Sequence, residues 1–197
     1  MIETKGAQTS ARLAEAMLDL VQRHGYSGTG LNTVLQHAGA PKGSLYFHFP
    51  QGKEELGEKA VELAARQFRS LVTDQALASA SPIEVVRRVI DTLADLFTDS
   101  DFQLGCPVSV VTLEMGAQSE RLREACANAF ESWIAPVTDQ LVAHGRPRPA
   151  ARATATAVVS MVEGALILSR AQRSTEPLSC AAEALAVLLN DGAEASA

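Results

Sequence analysis

The sequence has few of the residues on which disulfide-bonded and metal-bound folds depend. Its three cysteines, Cys106, Cys126 and Cys180, are an odd number, none belongs to a C-x-x-C pair, and the chain has only four histidines. A disulfide framework and a structural zinc site are therefore poorly supported, and neither a metal nor a cofactor is predicted. Such cysteine usage is typical of a reduced cytoplasmic protein whose thiols are packed in its interior.

Aromatic residues and positive charge are also scarce. Aromatics make up 5% of the chain, which is low for an all-β sandwich or barrel. The net charge of −6 excludes a generally basic nucleic-acid coat, but the charge is uneven. Residues 1–49 carry 4 basic and 3 acidic side chains, a net +1, whereas residues 50–197 carry 13 and 20, a net −7. This asymmetry predicts a small head that faces a polyanion and an acidic body.

No uninterrupted hydrophobic run indicates a membrane or targeting segment. Charged side chains from Arg12 onward interrupt the amphipathic N-terminal run, so no apolar signal core is evident. The longest apolar stretch, residues 150–171, contains Arg152, Glu163 and Arg170. It therefore predicts a buried helix rather than a membrane span, and no membrane partner is expected.

The sequence does have helical periodicity along almost its whole length. Apolar residues recur every three or four positions, and no alternating run of β-branched residues indicates a strand. The predicted fold class is all-α with about nine helices, arranged as a three-helix head over residues 1–51 and a larger helical domain over residues 52–197. The predicted helices span residues 8–24, 31–38, 41–48, 52–78, 82–98, 107–115, 119–144, 149–172 and 177–189.

Two short helices in residues 29–49 carry the functional pattern. Thr29 is expected to cap the first helix, Gly39 to end it, and Pro41 to begin the second at its first helical position. Two short helices joined by a glycine turn form a helix-turn-helix, in which the second helix enters a DNA groove. Leu45 and Phe49 are expected to anchor that second helix to the core of the head.

The second helix has side chains suited to DNA. Lys42 offers a charge to phosphate, Gly43 lets the backbone come close, and Ser44 and Tyr46 supply hydroxyl donors. His48 is expected to contact a phosphate, with packing inside the head as the alternative. The remaining predicted DNA contacts are Thr29, Phe47 and Lys53, the last of which adds a charge at the start of the following helix.

The segments around this motif resemble the tetracycline-repressor (TetR) family of bacterial transcriptional regulators, and the likeness is specific over about residues 8–60. The matching residues are Gly25-Tyr26, Thr29, Ala38-Gly39, Lys42–Phe49 and Lys53–Leu56. A narrower likeness is to the LmrA/YxaF-like subgroup of that family. It depends on Thr29–Asn32, Ala40–Tyr46, Pro50–Leu56 and Gly105-Cys106-Pro107.

The resemblance implies a homodimeric repressor. Its head would bind a palindromic double-stranded DNA operator, and its helical C-terminal domain would dimerise and bind a small hydrophobic effector that releases the operator. The chain departs from the family pattern at Gly30 and Leu31, where many relatives have hydroxyl residues, and at Phe47, where a second tyrosine or a histidine is frequent. Each departure removes a donor, so these positions are expected to contribute packing instead of hydrogen bonds.

Aromatic residues in the C-terminal part are candidates for an effector pocket, although core packing is the alternative for each. Pro136 lies inside the predicted helix 119–144 and is expected to kink it beside Phe130 and Trp133. Glu114 would place a carboxylate near that space, or else lie at a solvated helix end. Cys106 would be a packed thiol or, less expected, a reactive sensor. The predicted ligand-binding residues are Phe97, Phe102, Cys106, Glu114, Met115, Phe130 and Trp133.

The last two predicted helices lie near 149–172 and 177–189; residues 150–171 are apolar on nearly all faces, and the final helix adds Leu178, Leu185 and Leu189. This pattern predicts that two copies of the chain form a four-helix bundle, with a central helix of a monomer as the alternative. An all-helical enzyme acting on an apolar substrate is the competing function, but G-x-S-x-G, H-E-x-x-H and P-loop motifs are absent, so the chain is not expected to be an enzyme. An architectural DNA protein is disfavoured by the net charge of −6.

Overall fold

The computed structural model describes residues 5–78 and 81–190, and within these residues it contains nine α-helices and no strand. The predicted all-α fold class is therefore confirmed, and each helix end lies within three residues of its predicted position. The helices are α1 (Lys5–His24), α2 (Leu31–His37), α3 (Lys42–His48), α4 (Lys53–Ala78), α5 (Pro82–Asp99), α6 (Pro107–Met115), α7 (Glu120–Ala143), α8 (Arg148–Gln172) and α9 (Glu176–Asn190).

The helices are distributed over two compact units. The first unit comprises the described part of Met1–Arg66 together with Cys106–Ala129, and the second comprises Gln67–Gly105 together with the described part of Phe130–Ala197. The helices α4 and α7 each belong partly to both units, and α6 lies wholly in the first. The predicted functional boundary between residues 51 and 52 stays a prediction.

The first unit is built on α1, which packs against α2, α3 and α6. Its apolar positions recur on one face, as expected for a helix that buries a stripe against neighbours. Gly25 ends α1 with a φ of +79°, a conformation that glycine adopts without strain, and its N–H bonds to the carbonyl of Val21. The side chains that are almost completely buried in this unit include Leu13, Met17, Leu45, Leu56, Val108 and Leu122.

The second unit is built on α9, which packs against α8 and α5. The guanidinium of Arg146 joins α8 to α9, because it donates to Thr154 Oγ1 at 2.7 Å and to the carbonyls of Leu188 and Leu189 at 3.3 Å. In the described part of the chain, α8 is the one helix long and apolar enough to cross a membrane. Its packing against α9 favours the predicted buried helix over a membrane span.

Candidate nucleic-acid interface

The turn between α2 and α3 is held by a residue from α1. Gly39 adopts a φ of +57° in this turn, as glycine does readily. The guanidinium of Arg12 donates to the carbonyl of Gly39 at 2.9 Å and also to the carbonyl of Ala38. Arg12 therefore fixes the helix-turn-helix to α1. Sequence reasoning missed this role, because an exposed arginine on a helix has many alternatives and the two partners are more than 25 residues away.

Two sequence predictions at the start of these helices are wrong. The N-cap of α2 is Gly30, whereas Thr29 is 1% exposed and its hydroxyl donates to the carbonyl of Gly25 at 2.7 Å. Because this proton is already used and the side chain is buried, Thr29 supports the loop and does not offer a donor to phosphate. Pro41 is the N-cap of α3, with φ −64° and ψ 146°, and the helix begins one residue later at Lys42.

The outward face of α3 is polar and aromatic. Lys42 and Gly43 are exposed, and the side chains of Tyr46 and Phe47 are 63% and 81% exposed. A Cβ built on Gly43 would meet nothing within 4 Å, so the described chain imposes no need for glycine there. We call these four residues the α3 surface. They lie one helical turn apart in the pairs Lys42–Tyr46 and Gly43–Phe47, so together they cover one continuous patch.

The opposite face of α3 is an anchor. Leu45 and Phe49 are buried, as predicted. The ring of Phe47 lies outside the core, so its predicted packing contact is not made inside the chain, and a packing contact with DNA stays a prediction. The neighbour of this ring is His48, whose centroid is 4.9 Å away in an edge-on arrangement.

Ser44 and His48 are half-buried beside the α3 surface. The hydroxyl of Ser44 donates to the carbonyl of Pro41 at 2.6 Å, so its proton is used inside the head. The predicted donation from Ser44 to DNA would require its hydroxyl to turn away from Pro41, and it stays a prediction. The imidazole of His48 lies near the N-terminal turn of α1, where a Cβ on Gly6 would be 3.6 Å from its Cε1 atom.

Lys53 begins α4 and has an aromatic partner. Its Nζ atom lies 4.4 Å from the centroid of the Tyr26 ring, a cation–π distance. Burial lowers the pKa of Lys53, and the Glu114 carboxylate opposes that shift. Burial raises the pKa of Tyr26 to about 12, with a further contribution from the Glu54 charge. Lys53 is thus held against the head while its charge remains half-exposed.

Glu114 lies near the end of α6, in the first unit. Its Oε2 atom accepts a hydrogen bond from the Ser27 N–H at 2.6 Å. A Cβ built on Gly25 would be 2.3 Å from Oε1 of the same carboxylate. Glu114 is thus bonded to the loop before α2 while it stays partly exposed near the helix end, and neither of its two predicted alternatives is decided. The other predicted ligand residues in the first unit are Cys106, which is the N-cap of α6, and Met115, which ends that helix.

The second unit contains the predicted aromatic residues and a small cavity. The rings of Phe130 and Trp133 are 5.4 Å apart and nearly perpendicular, Phe68 lies 4.7 Å from Trp133, and Phe97 and Phe102 form a separate pair at 6.3 Å. Of the predicted ligand residues, Trp133 lines the cavity, which has a volume of about 40 Å³. The lining is Phe68, Val72, Val85, Val86, Val89, Trp133, Val137, Val158, Val159, Val162 and Glu163.

Sequence reasoning missed most of this lining, because a valine on an apolar helical face has the same pattern whether it borders a cavity or a solid core. One usable sign was Glu163, a carboxylate in the otherwise apolar middle of α8. Cys126 is buried, and burial raises the pKa of its thiol despite a hydrogen bond with Thr112. Cys106 is half-buried and Cys180 is exposed, and the two alternatives for Cys106 stay predictions. Among the described residues, no group of three or more His, Cys, Asp or Glu could hold a metal ion.

Comparison with known proteins places both parts of the chain. Residues 13–60 match the family described as "Bacterial regulatory proteins, tetR family", and residues 82–184 match "Transcriptional regulator LmrA/YxaF-like, C-terminal domain". The chain is similar to the HTH-type transcriptional regulator LmrA of Bacillus subtilis (strain 168), with 35% identity over 167 residues that cover 85% of this chain and 89% of that protein. It is 36% identical over 170 residues to the transcriptional regulator YxaF of the same organism, covering 86% of this chain and 89% of that one.

A solved structure has the same fold. The crystal structure of the regulatory protein TetR from Rhodobacter sphaeroides superposes with a TM-score of 0.80 at 25% identity, and the match covers 90% of this chain and 96% of that chain. The matched families and relatives are transcriptional regulators, not enzymes. With a helix-turn-helix whose second helix presents an exposed polar surface, and with these matches over both parts of the sequence, the chain belongs to the TetR family of bacterial transcriptional regulators and has an LmrA/YxaF-like C-terminal domain.

Proposed function

We propose that the chain is a cytoplasmic repressor that binds a palindromic operator as a homodimer and releases it when a small hydrophobic effector binds. The observation that carries the proposal is the α3 surface, an exposed patch of Lys42, Gly43, Tyr46 and Phe47 on a helix anchored by buried Leu45. A short helix with one anchored face and one exposed polar face fits a major groove.

The members of the α3 surface suit different parts of the duplex. Lys42 supplies a charge to phosphate, Tyr46 supplies a hydroxyl, and the open space at Gly43 permits close approach of the backbone. Phe47 has no donor, so it fits an apolar feature of a base edge, and the thymine methyl group is the apolar feature of the major groove. Lys53 and His48 add cationic and imidazole nitrogens at the edge of the patch.

The dimer is proposed to form through α8 and α9. On α8, Met161 and Leu168 are exposed although apolar, and Gly164 lies between them on the same helical face. Together with Cys180 and Ala184 of α9 they border an open groove. Small residues allow close helix approach, and two copies would bury this face in a four-helix bundle.

The effector site is proposed to be the cavity around Trp133. Its volume of about 40 Å³ is well below the ~300–1,000 Å³ of typical ligand sites, so an effector would bind a more open form of the second unit. The lining is apolar apart from Glu163, which favours an apolar effector. An effector that prefers the open form would shift the population away from the form that fits the operator.

The helix α4 is proposed to carry this change to the head. It begins at Lys53 beside the DNA-binding residues and contains Phe68 and Val72 of the cavity lining. Operator binding requires two heads about 34–36 Å apart along the duplex, which is one helical turn. A change in head spacing would therefore lower affinity without any change in the α3 surface.

The experiment that tests the proposal begins with selection of duplexes from random-sequence DNA by the wild-type chain. We expect a palindrome, and we expect Leu168→Glu to give a monomer that binds it about 100-fold more weakly, since paired half-sites contribute avidity. Leu96→Glu is the matched control, because Leu96 is similarly exposed (47% against 52%) but lies on α5. Selection of no common sequence, or an unchanged dimer in Leu168→Glu, would contradict the proposal.

A further inference from the structure

The contact between α6 and the loop before α2 is a hydrogen bond to a carboxylate, which is not needed to pack an apolar core. Glu114 is on the last turn of α6, and Ser27 is 87 residues earlier in the chain. The Ser27 N–H donates to Oε2 of Glu114 at 2.6 Å, while Oε1 lies so close to Gly25 that a Cβ there would be 2.3 Å away. Both carboxylate oxygens therefore contact the loop, and a charged acceptor makes the hydrogen bond stronger than a neutral one.

The loop that Glu114 contacts is otherwise tied to α1 and leads directly into the helix-turn-helix. The Gly25 N–H bonds to the carbonyl of Val21, and the Thr29 N–H bonds to the carbonyl of Tyr26. The next residue, Gly30, is the N-cap of α2. A displacement of this loop would therefore move the start of α2, and α2 packs on α3.

A second charged side chain fixes the same loop from another helix. The Lys53 ammonium lies over the ring of Tyr26, and the Glu114 carboxylate is an electrostatic neighbour of that ammonium. The loop is thus held by one residue of α6 and one residue of α4. The chain passes from one unit to the other at or beside both helices. The helix α4 continues past Arg66 into the second unit, and α6 begins two residues after Gly105, where this stretch of the second unit ends.

We infer that Glu114 is a positioning residue for DNA binding, which holds the loop before α2, and through that loop α2 and α3, by its contact with the Ser27 amide. The inference rests on the proposed operator binding and deepens it by naming a residue on which the geometry of the α3 surface depends. It replaces the prediction that Glu114 binds the effector. In this role Glu114 touches no DNA, and its effect on the operator passes through the Ser27 amide and the loop.

The first test compares Glu114→Ala with Glu114→Gln. The amide oxygen of glutamine can accept from the Ser27 N–H, whereas alanine leaves this N–H to water. We expect Glu114→Ala to bind the duplex selected by the wild-type chain about five- to tenfold more weakly, and Glu114→Gln to recover most of that loss. Glu124→Ala is the control, because Glu124 is an exposed carboxylate of the same unit whose ion-pair partner, Arg123, lies on its own helix.

Hydrogen exchange distinguishes positioning from general destabilisation. In Glu114→Ala we expect faster amide exchange in residues 25–49 and unchanged exchange in α8 and α9, measured in the free protein. Glu114→Gln should restore the slow exchange. Uniformly faster exchange over the whole chain would mean that Glu114 has only a structural role, and it would overturn the inference.

A double-mutant cycle tests whether α6 acts through Glu114. Val108 is buried near the start of α6, away from the loop, and Val108→Ala should shift that helix and change operator affinity. In a chain that already carries Glu114→Ala we expect Val108→Ala to have no further effect on affinity. Equal effects in both backgrounds would overturn the inference. Failure of the wild-type chain to select any duplex would instead reject the proposed function, while the exchange experiment would still decide the role of the loop contact.

Discussion

The α3 surface and the cavity of the second unit are two contrasting ways to arrange aromatic residues. On α3, Tyr46 and Phe47 are neighbours in sequence and are exposed on a helix of seven residues. Around the cavity, Phe68 and Trp133 are 65 positions apart and are brought together by the packing of α4 and α7. One site is therefore determined mainly by local sequence and the other by tertiary packing.

This difference separates two kinds of mutational effect. A side chain of the α3 surface has little apolar area buried inside the chain, so its removal should change affinity for DNA and leave stability nearly unaltered. A side chain of the cavity lining has its area buried within the fold, so its removal should first change stability. The following four predictions test this separation.

The largest expected effect is that of Trp133→Ala. Trp133 is 3% exposed and contacts Phe68 and Phe130, so the substitution should lower the free energy of unfolding by about 3–5 kcal/mol. Phe47→Ala, which removes an exposed aromatic ring, should change it by less than about 0.5 kcal/mol. Urea denaturation followed by circular dichroism would measure both, since Trp133 is the only tryptophan and its fluorescence is lost. Similar losses of unfolding free energy in the two variants would contradict the difference between the cavity lining and the α3 surface.

Tyr26→Phe extends the comparison to alkaline pH. The neutral phenol is favoured in the folded state, because burial raises the Tyr26 pKa from 10.0 to about 12. This contribution is fully present below pH 10 and is lost as the pH rises toward 12, so the wild-type chain should lose about 1.4 kcal/mol relative to Tyr26→Phe between pH 9 and pH 11. Denaturation midpoints of both proteins at pH 9 and pH 11 would measure the difference. A constant difference in midpoint between the two proteins across this range would show that the ionisation of Tyr26 is not linked to unfolding.

Phe47→Ala should lower the affinity of the chain for the operator. Loss of an apolar contact with a thymine methyl is expected to weaken binding by about 1 kcal/mol, or roughly fivefold. Replacement of single thymines by uracil in the selected duplex removes the methyl groups one at a time. One such replacement should weaken binding of the wild-type chain and have no effect on Phe47→Ala. If every uracil duplex affects both proteins equally, Phe47 does not contact a thymine methyl.

The smallest effect is expected for Lys42→Ala. Removal of a phosphate contact should weaken binding a few-fold for all duplexes and reduce the slope of log affinity against log salt by about 1. Lys59→Ala is a suitable control, because Lys59 is paired with Glu62 on α4. An unchanged salt slope in Lys42→Ala would show that Lys42 does not contact a phosphate.

Most of the fold could be predicted from the sequence because its determinants are local. Pro107 indicated the start of α6, whose predicted and observed bounds agree, and the glycines at 25 and 39 marked the ends of helices that the structure has. Leu45 was predicted to anchor α3 to the core of the head, and it is buried. Local patterns of this kind depend on residues three or four positions apart, which a single sequence contains in full.

The roles that could not be predicted depend on partners distant in sequence. Arg12 and Glu114 each form a hydrogen bond with a backbone group. Because nearly every residue has the same backbone groups, the sequence does not show which residue is the partner. Thr29 precedes α2 as an N-cap residue would, but its hydroxyl reaches back to Gly25. The cavity lining was hidden for a different reason, since its valines differ from ordinary core valines only in what lies opposite them.

The open space at Gly43 has a consequence for the design of this helix. Alanine would fit there and would favour the helical state by roughly 0.5–1 kcal/mol, because glycine loses more backbone entropy on folding. A procedure that chooses residues for thermal robustness alone would therefore replace Gly43, whereas the proposed approach of α3 to a duplex uses the space that the absent side chain leaves. Under the proposed function, the most robust protein and the best DNA-binding protein call for different amino acids at this one position.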